Sequence, residues 1–144
     1  MPTYQVFANQ GKLSAEQKRK AARAITEGHC AVTGAPDYYV QVIVNEVPEE
    51  NRFVCGKPQS EVVWIRGDVR SRTPEQDKAL MLELVKRVAE ECSLDPDMIW
   101  IDLCAVEATD ILKFGTVFPP AGQEKAWQEA LPERVKERIM QLRR

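Results

Sequence analysis

Polar and apolar positions alternate weakly over Tyr4 to Ala8, a segment rich in strand formers, which predicts a short strand opening almost at residue 2. The period then lengthens. Ala22, Ile25, His29 and Val32 recur at helical spacing, with Cys30 beside them. Ser14 and Gln17 make a capping box at the start of this helix, and Gly34 supplies its stop. The next apolar run, Tyr38 to Val47, has the composition of a buried strand. Pro48 to Pro58 is polar and punctuated by proline and glycine, so it predicts a connection. Glu61 to Val69 then gives a third strand. Thr73-Pro74-Glu75-Gln76 forms a second capping box, with proline at the first helical position. Leu80, Leu84, Val85, Val88 and Cys92 supply that helix's apolar face, and Met98 to Cys104 closes the pattern as a strand. Two β-α-β units follow, over about 2–47 and about 61–104, of nearly equal length and in the same order. A structural duplication is expected.

The tail, 105–144, carries the run Ile111 to Phe118, a Pro119-Pro120 break, and a short helical stretch around Trp127. A last helix opens at Pro132, with Val135, Ile139 and Leu142 on one side. The expected architecture is an α/β domain over 1–144, a four-stranded sheet with two helices on one face. Such a sheet leaves its other face bare, so the tail or neighbouring subunits must cover it, and oligomerisation is expected.

Charge and composition narrow the function. Lys and Arg total 20 against 22 Asp and Glu in 144 residues, a balance that offers no purchase to nucleic acid or to an acidic membrane. No apolar run is long enough to span a bilayer. Gln5, Asn9, Gln10 and Lys12 break up any secretory-signal layout at the start, which points to a cytoplasmic protein. The four cysteines (Cys30, Cys55, Cys92, Cys104) form no C-x-x-C pair, and reduced, mostly buried thiols are expected, with no metal or cofactor.

The candidate chemistry begins at Pro2. Removal of Met1 before a small residue would leave a secondary amine at the head of a strand. Burial beside positive charge lowers the pKa of such an amine, fitting it to act as base, acid or nucleophile. His29, the only histidine, lies on the apolar side of the first helix, either as a substrate-holding group or as a structural one. Period-two alternation puts Arg66, Arg70 and, by extension, Arg72 on one face where a strand meets a helix amino terminus. This is either an anion trap or a set of surface ion pairs with Asp68, Glu75 or Asp77. Asp102 is polar within Ile99-Trp100-Ile101-Asp102-Leu103, at a buried site or on a solvent face, and Lys113 completes the set unless it is merely solvated.

The start Pro2-Thr3-Tyr4, the segment Ala24-Ile25-Thr26-Glu27-Gly28-His29, the run Gln41-Val42-Ile43-Val44, Arg70-Ser71-Arg72 and Ile99-Trp100-Ile101 together resemble the tautomerase superfamily. Within it the likeness is to the cis-3-chloroacrylic acid dehalogenase group, over nearly the whole chain. That resemblance implies two β-α-β units per chain and a homotrimer with an amino-terminal proline in each active site. By position, Pro2 matches the catalytic proline, His29 the substrate-holding histidine of the first helix, and Arg70 the first of two carboxylate-binding arginines. The second would fall at Thr73, whereas here Arg72 stands one residue beyond Ser71. That Arg-x-Arg spacing is more similar to the malonate semialdehyde decarboxylase group, which uses an aspartate ahead of its second strand, roughly where Asp37 lies.

Asp102 and Lys113 stand where the dehalogenases carry a tyrosine and a glutamate that help activate water. A lysine is a poor base for water unless its pKa falls strongly. The expected function is therefore a cofactor-independent keto-enol tautomerase acting on a 2-oxo or 2-hydroxyalkenoic acid, such as a phenylpyruvate-like enol. Its alternatives are a hydratase or dehalogenase of cis-3-substituted acrylates using Asp102, a 3-oxo acid decarboxylase using Asp37, and a non-catalytic binding protein on the same scaffold.

Overall fold

The computed structural model describes residues 2–144. β1 (Thr3–Asn9) turns Tyr4, Val6 and Ala8 inward at alternate positions and is followed by α1 (Ala15–Thr33) and β2 (Gln41–Val47). A small hairpin, β3 (Phe53–Val54) and β4 (Lys57–Pro58), leads to β5 (Val63–Arg70), α2 (Pro74–Cys92) and β6 (Ile99–Val106). The tail holds a second hairpin, β7 (Leu112–Lys113) and β8 (Thr116–Val117), then α3 (Glu124–Ala130) and α4 (Glu133–Leu142). The main sheet runs β2-β1-β5-β6. β1 pairs parallel to β2 and β5 parallel to β6, and the two units meet through the antiparallel pair β1 and β5.

Both long helices begin with the reciprocal capping box that Ser14-Gln17 and Thr73-Gln76 predict, so two otherwise orphaned amides are satisfied at each start. α1 ends on Gly34 in the left-handed conformation. The core lies between these helices and one face of the sheet, where Tyr4, Val6, Ala8, Ile25, Val63, Ile65, Leu80, Leu84 and Val88 are buried together.

The duplication is regular. Ser14 and Thr73 cap the helices, Asp37 and Pro96 open 3-10 turns, Glu49 and Ala108 open two more, and Phe53 and Leu112 start the hairpins, each pair 59 residues apart. It also extends past the expected end of each unit. Cys55-Gly56 and Phe114-Gly115 both carry positive φ at both positions, the pair of values that a tight two-residue hairpin loop requires. Pro48 to Pro58 is thus not a plain connection but holds the first of these hairpins.

Some expected boundaries shift. The buried stripe of α1 is Ala21, Ala24, Ile25, Gly28 and His29, while Val32 is exposed, because α2 crosses close to Gly28 and draws the helix round. The run from Tyr38 does not start as strand: Asp37–Tyr39 make a 3-10 turn that aims Tyr39 into an aromatic cluster with Phe118 and Trp127. In α4, Val135 and Ile139 are buried but Leu142 is exposed, since the helix runs off the body there. All four cysteines are free thiols, but only Cys92 is buried: Cys30 and Cys104 are half-buried, and Cys55 in the hairpin loop is exposed. The tail packs beside Tyr38 and Tyr39 and leaves Ile43 and Trp100, on the helix-free face of the sheet, exposed. No described helix is long and apolar enough to cross a membrane.

Candidate active site

Pro2 is buried, and its carbonyl accepts a hydrogen bond from the Gln41 amide (3.0 Å), which ties it to the entry of β2 just beyond Tyr39. The antiparallel register of β1 and β5 ends at Thr3 opposite Asp68, so one further step sets Pro2 abreast of Val69, the neighbour of Arg70. Removal of Met1 lies outside the described residues.

On the helix side of Pro2, Tyr4 and His29 are both inaccessible to solvent and are joined through Tyr4 Oη and His29 Nδ1 at 2.8 Å. Burial holds the Tyr4 phenol well above its ordinary range, though Arg72 works against it, so the hydroxyl keeps its proton. Burial, helped by the charges of Arg72 and Arg70, lowers the His29 pKa to about 3, so the ring is neutral. Tyr4 Oη has no other acceptor among the described residues, so its hydrogen is assigned to the bond with Nδ1, which places the imidazole hydrogen on Nε2. That nitrogen is buried and has no partner among the described residues. A neutral N–H donor is thereby held ready for an acceptor.

On the other side lie the arginines. Arg70, at the end of β5, is buried: Nη1 donates to the Pro119 carbonyl (2.9 Å), Nη2 to the Glu124 carboxylate, and the guanidinium lies over the Phe118 ring, 5.5 Å from its centroid. Burial works to raise the Glu124 pKa, but the hydrogen bond and charge of Arg70 hold the carboxylate below its ordinary value. Arg72 is half-buried, and among the described residues its hydrogen bond is from Nη1 to the Arg70 carbonyl (3.1 Å). Burial, then the neighbouring Arg70, pushes the Arg72 pKa down. Arg66 does not join them. It is exposed on the helix-free face, paired with Asp68 at 3.4 Å.

Asp102, Lys113 and Asp37 lie elsewhere in the chain. Asp102 is exposed beside Arg66 on the helix-free face and accepts from the Trp64 indole (2.6 Å). Lys113 is half-buried in β7, where burial pushes its ammonium below the usual lysine range, and among the described residues it makes no ion pair with Asp102. Asp37 is exposed and bound by Arg143 of the tail, Oδ1 to Nε at 3.1 Å. Among the described residues, His, Cys, Asp and Glu side chains nowhere gather in threes at metal-binding distance.

Sequence reasoning missed Tyr4, Tyr39, Phe118 and Glu124. The inward parity of Tyr4, Val6 and Ala8 was a usable signal for the first. Nothing local ties Glu124 to an arginine 54 positions earlier.

Residues 1–130 match the model of the Tautomerase_3 family, described as "Putative oxalocrotonate tautomerase enzyme". None of the curated proteins compared matches the chain in sequence. Among solved structures, N1, a member of the cis-3-chloroacrylic acid dehalogenase (cis-CaaD) family, is 28% identical with a TM-score of 0.90, covering 96% of this chain and 99% of that one. An F6 fused 4-OT asymmetric trimer is 22% identical with a TM-score of 0.74 over 87% and 98% of the two chains. Pt0534 inactivated by 2-oxo-3-pentynoate is 23% identical with a TM-score of 0.73 over 87% and 98%. The last two likenesses show the fold alone.

Proposed function

The chain belongs to the tautomerase family whose model spans residues 1–130, and from that premise we propose that it is a cofactor-independent keto-enol tautomerase of 2-oxo and 2-hydroxyalkenoic acids, with Pro2 as the proton-transfer group. The observation that carries this reading is the fully buried His29, bound by Tyr4 of β1 and under the charges of Arg72 and Arg70. In the proposed reaction the open edge of Arg72, with the charge of Arg70 beside it, receives the substrate carboxylate, and the Nε2 hydrogen of His29 orients the substrate by donating to an oxygen. The Pro2 amine, acting in its neutral form, takes the enol proton and returns it to carbon, leaving the 2-oxo acid. The positive charges steady the enolate between these two transfers.

Water addition asks for more than the cluster offers. The carboxylate touching it, Glu124, is held in its ionised form by Arg70 and is a weak base for water, while Asp102 is occupied by Trp64. This favours proton transfer over the dehalogenase and hydratase readings, and Asp37, on which the decarboxylase reading rests, is paired with Arg143. We further propose a homotrimer, with Ile43 and Trp100 in the contacts between copies, as the neighbouring fused 4-OT trimers and the bare sheet face support. Replacing Pro2 with Ala is expected to abolish enol-to-keto conversion followed by ultraviolet absorbance. Retained turnover, or halide release from a cis-3-haloacrylate that outpaces tautomerisation, would sink the proposal.

A further inference from the structure

The two arginines differ in what they have left to give. Both terminal nitrogens of Arg70 are engaged, by Pro119 and Glu124, and one face is covered by Phe118. The Arg70–Glu124 pair exposes only 9% and 23% of its side chains, so water does little to loosen it. Arg72 has its Nη2 and Nε edge without a partner among the described residues, and Asp77, whose charge bears on it, makes no ion pair with it. That edge is the one a carboxylate binds side-on. The Nε2 of His29, without a partner among the described residues, is a second, wholly buried donor, and the charge of Arg72 bears on the ring.

We infer that Glu124 is a specificity-determining residue: by occupying Arg70 it leaves Arg72 as the receptive guanidinium, so the site takes monocarboxylates and turns away dicarboxylates. A second carboxylate on the ligand reaching towards Arg70 meets the Glu124 carboxylate already in place. It would have to displace a desolvated ion pair or sit unpaired against a like charge. A single carboxylate on Arg72 meets neither obstacle. The inference places the ligand where the proposed tautomerase reaction would occur, and it is read out by binding alone, so the two stand or fall separately. Turnover that survives Pro2→Ala removes the tautomerase reading and leaves this test intact.

The probes are butyrate and succinate, titrated calorimetrically into the full-length protein. The wild type is expected to bind butyrate at least about tenfold more tightly than succinate, the scale of one like-charge juxtaposition in a partly desolvated site. Glu124→Gln should bring the two within about threefold of each other, and Glu124→Met, which keeps the side chain's length against Phe118, should give the same shift if the amide loosens the tail. Glu129→Gln removes an equal charge from the same helix and should leave the wild-type ratio. Arg72→Gln should lose both ligands. An unchanged ratio in both Glu124 variants, an equal shift in Glu129→Gln, or butyrate binding that survives Arg72→Gln overturns the inference.

Discussion

At the scale of single residues, the buried Tyr4–His29 bond sets the state of the site. Tyr4→Phe removes the donor to Nδ1 and leaves an unpaired acceptor in the core, a loss of about 1–3 kcal/mol in stability. With Nδ1 released, the hydrogen on Nε2 is no longer enforced, and kcat/KM for the enol is expected to fall about tenfold. A kcat/KM equal to wild type would show that Tyr4 is only a packing residue. His29 also makes stability depend on pH. In the unfolded chain it binds a proton below about pH 6.5, but in the folded protein only near pH 3. Between those values the unfolded state holds more protons, so stability falls as pH falls, by up to about 1.4 kcal/mol per pH unit. Urea titrations of His29→Gln should show that dependence flattened. Parallel wild-type and variant curves would mean that His29 is charged in the fold.

At the scale of elements, two glycines show which contacts can give. Gly67 of β5 lies opposite Tyr4, and a Cβ there would sit 2.6 Å from Tyr4 Cε1 and 2.9 Å from Leu103 Cδ2. The Tyr4 ring is fully buried and tied to His29, so it has nowhere to move. Gly67→Ala is therefore expected to cost about 1–3 kcal/mol and to lower activity with it, because displacing Tyr4 displaces His29. Gly28 of α1 would bring a Cβ to 2.9 Å from Leu84 Cδ2, a methyl tip, and 3.1 Å from Arg87 Cδ, part of a long, partly exposed side chain that can swing aside. Gly28→Ala should cost less. Thermal melts that rank the two the other way would contradict this account. The helix starts behave as separate local units, and Ser14→Ala and Thr73→Ala should each remove about 1 kcal/mol without touching activity.

At the scale of the whole molecule, the tail and the bare sheet face divide the labour. The tail covers one end of the sheet through Tyr39, Phe118 and Trp127, whose indole donates to the Val117 carbonyl at 2.9 Å. Across the sheet, Ile43 and Trp100 are left exposed, at 41% and 48% of their surface, and Phe7 stacks on Trp64 there. A single exposed apolar residue is ordinary, but several on one sheet face mark a contact surface. In the proposed homotrimer, Trp100→Glu is expected to shift the assembly towards monomer in analytical ultracentrifugation, and an oligomer unaltered by it would place the interface elsewhere.

Strand and helix types, both capping boxes and the repeat of one β-α-β unit were legible along the chain, because each rests on neighbours within a few residues: an alternation, a 3.6-residue stripe, a reciprocal cap. The resemblance carried by Pro2, His29 and Arg70-Ser71-Arg72 named the family from the same local order. What folding alone decided is how groups far apart in the chain spend their hydrogen bonds. Tyr4 and His29 are equally apolar-side residues in sequence, yet only their packing makes one the donor that orients the other, while burial keeps the ring neutral. Arg70 and Arg72 look interchangeable as letters. The return of the tail to Arg70 through Phe118, Pro119 and Glu124 saturates one arginine and leaves an edge of the other open, because burial makes each donor's partner a matter of geometry rather than of solvent.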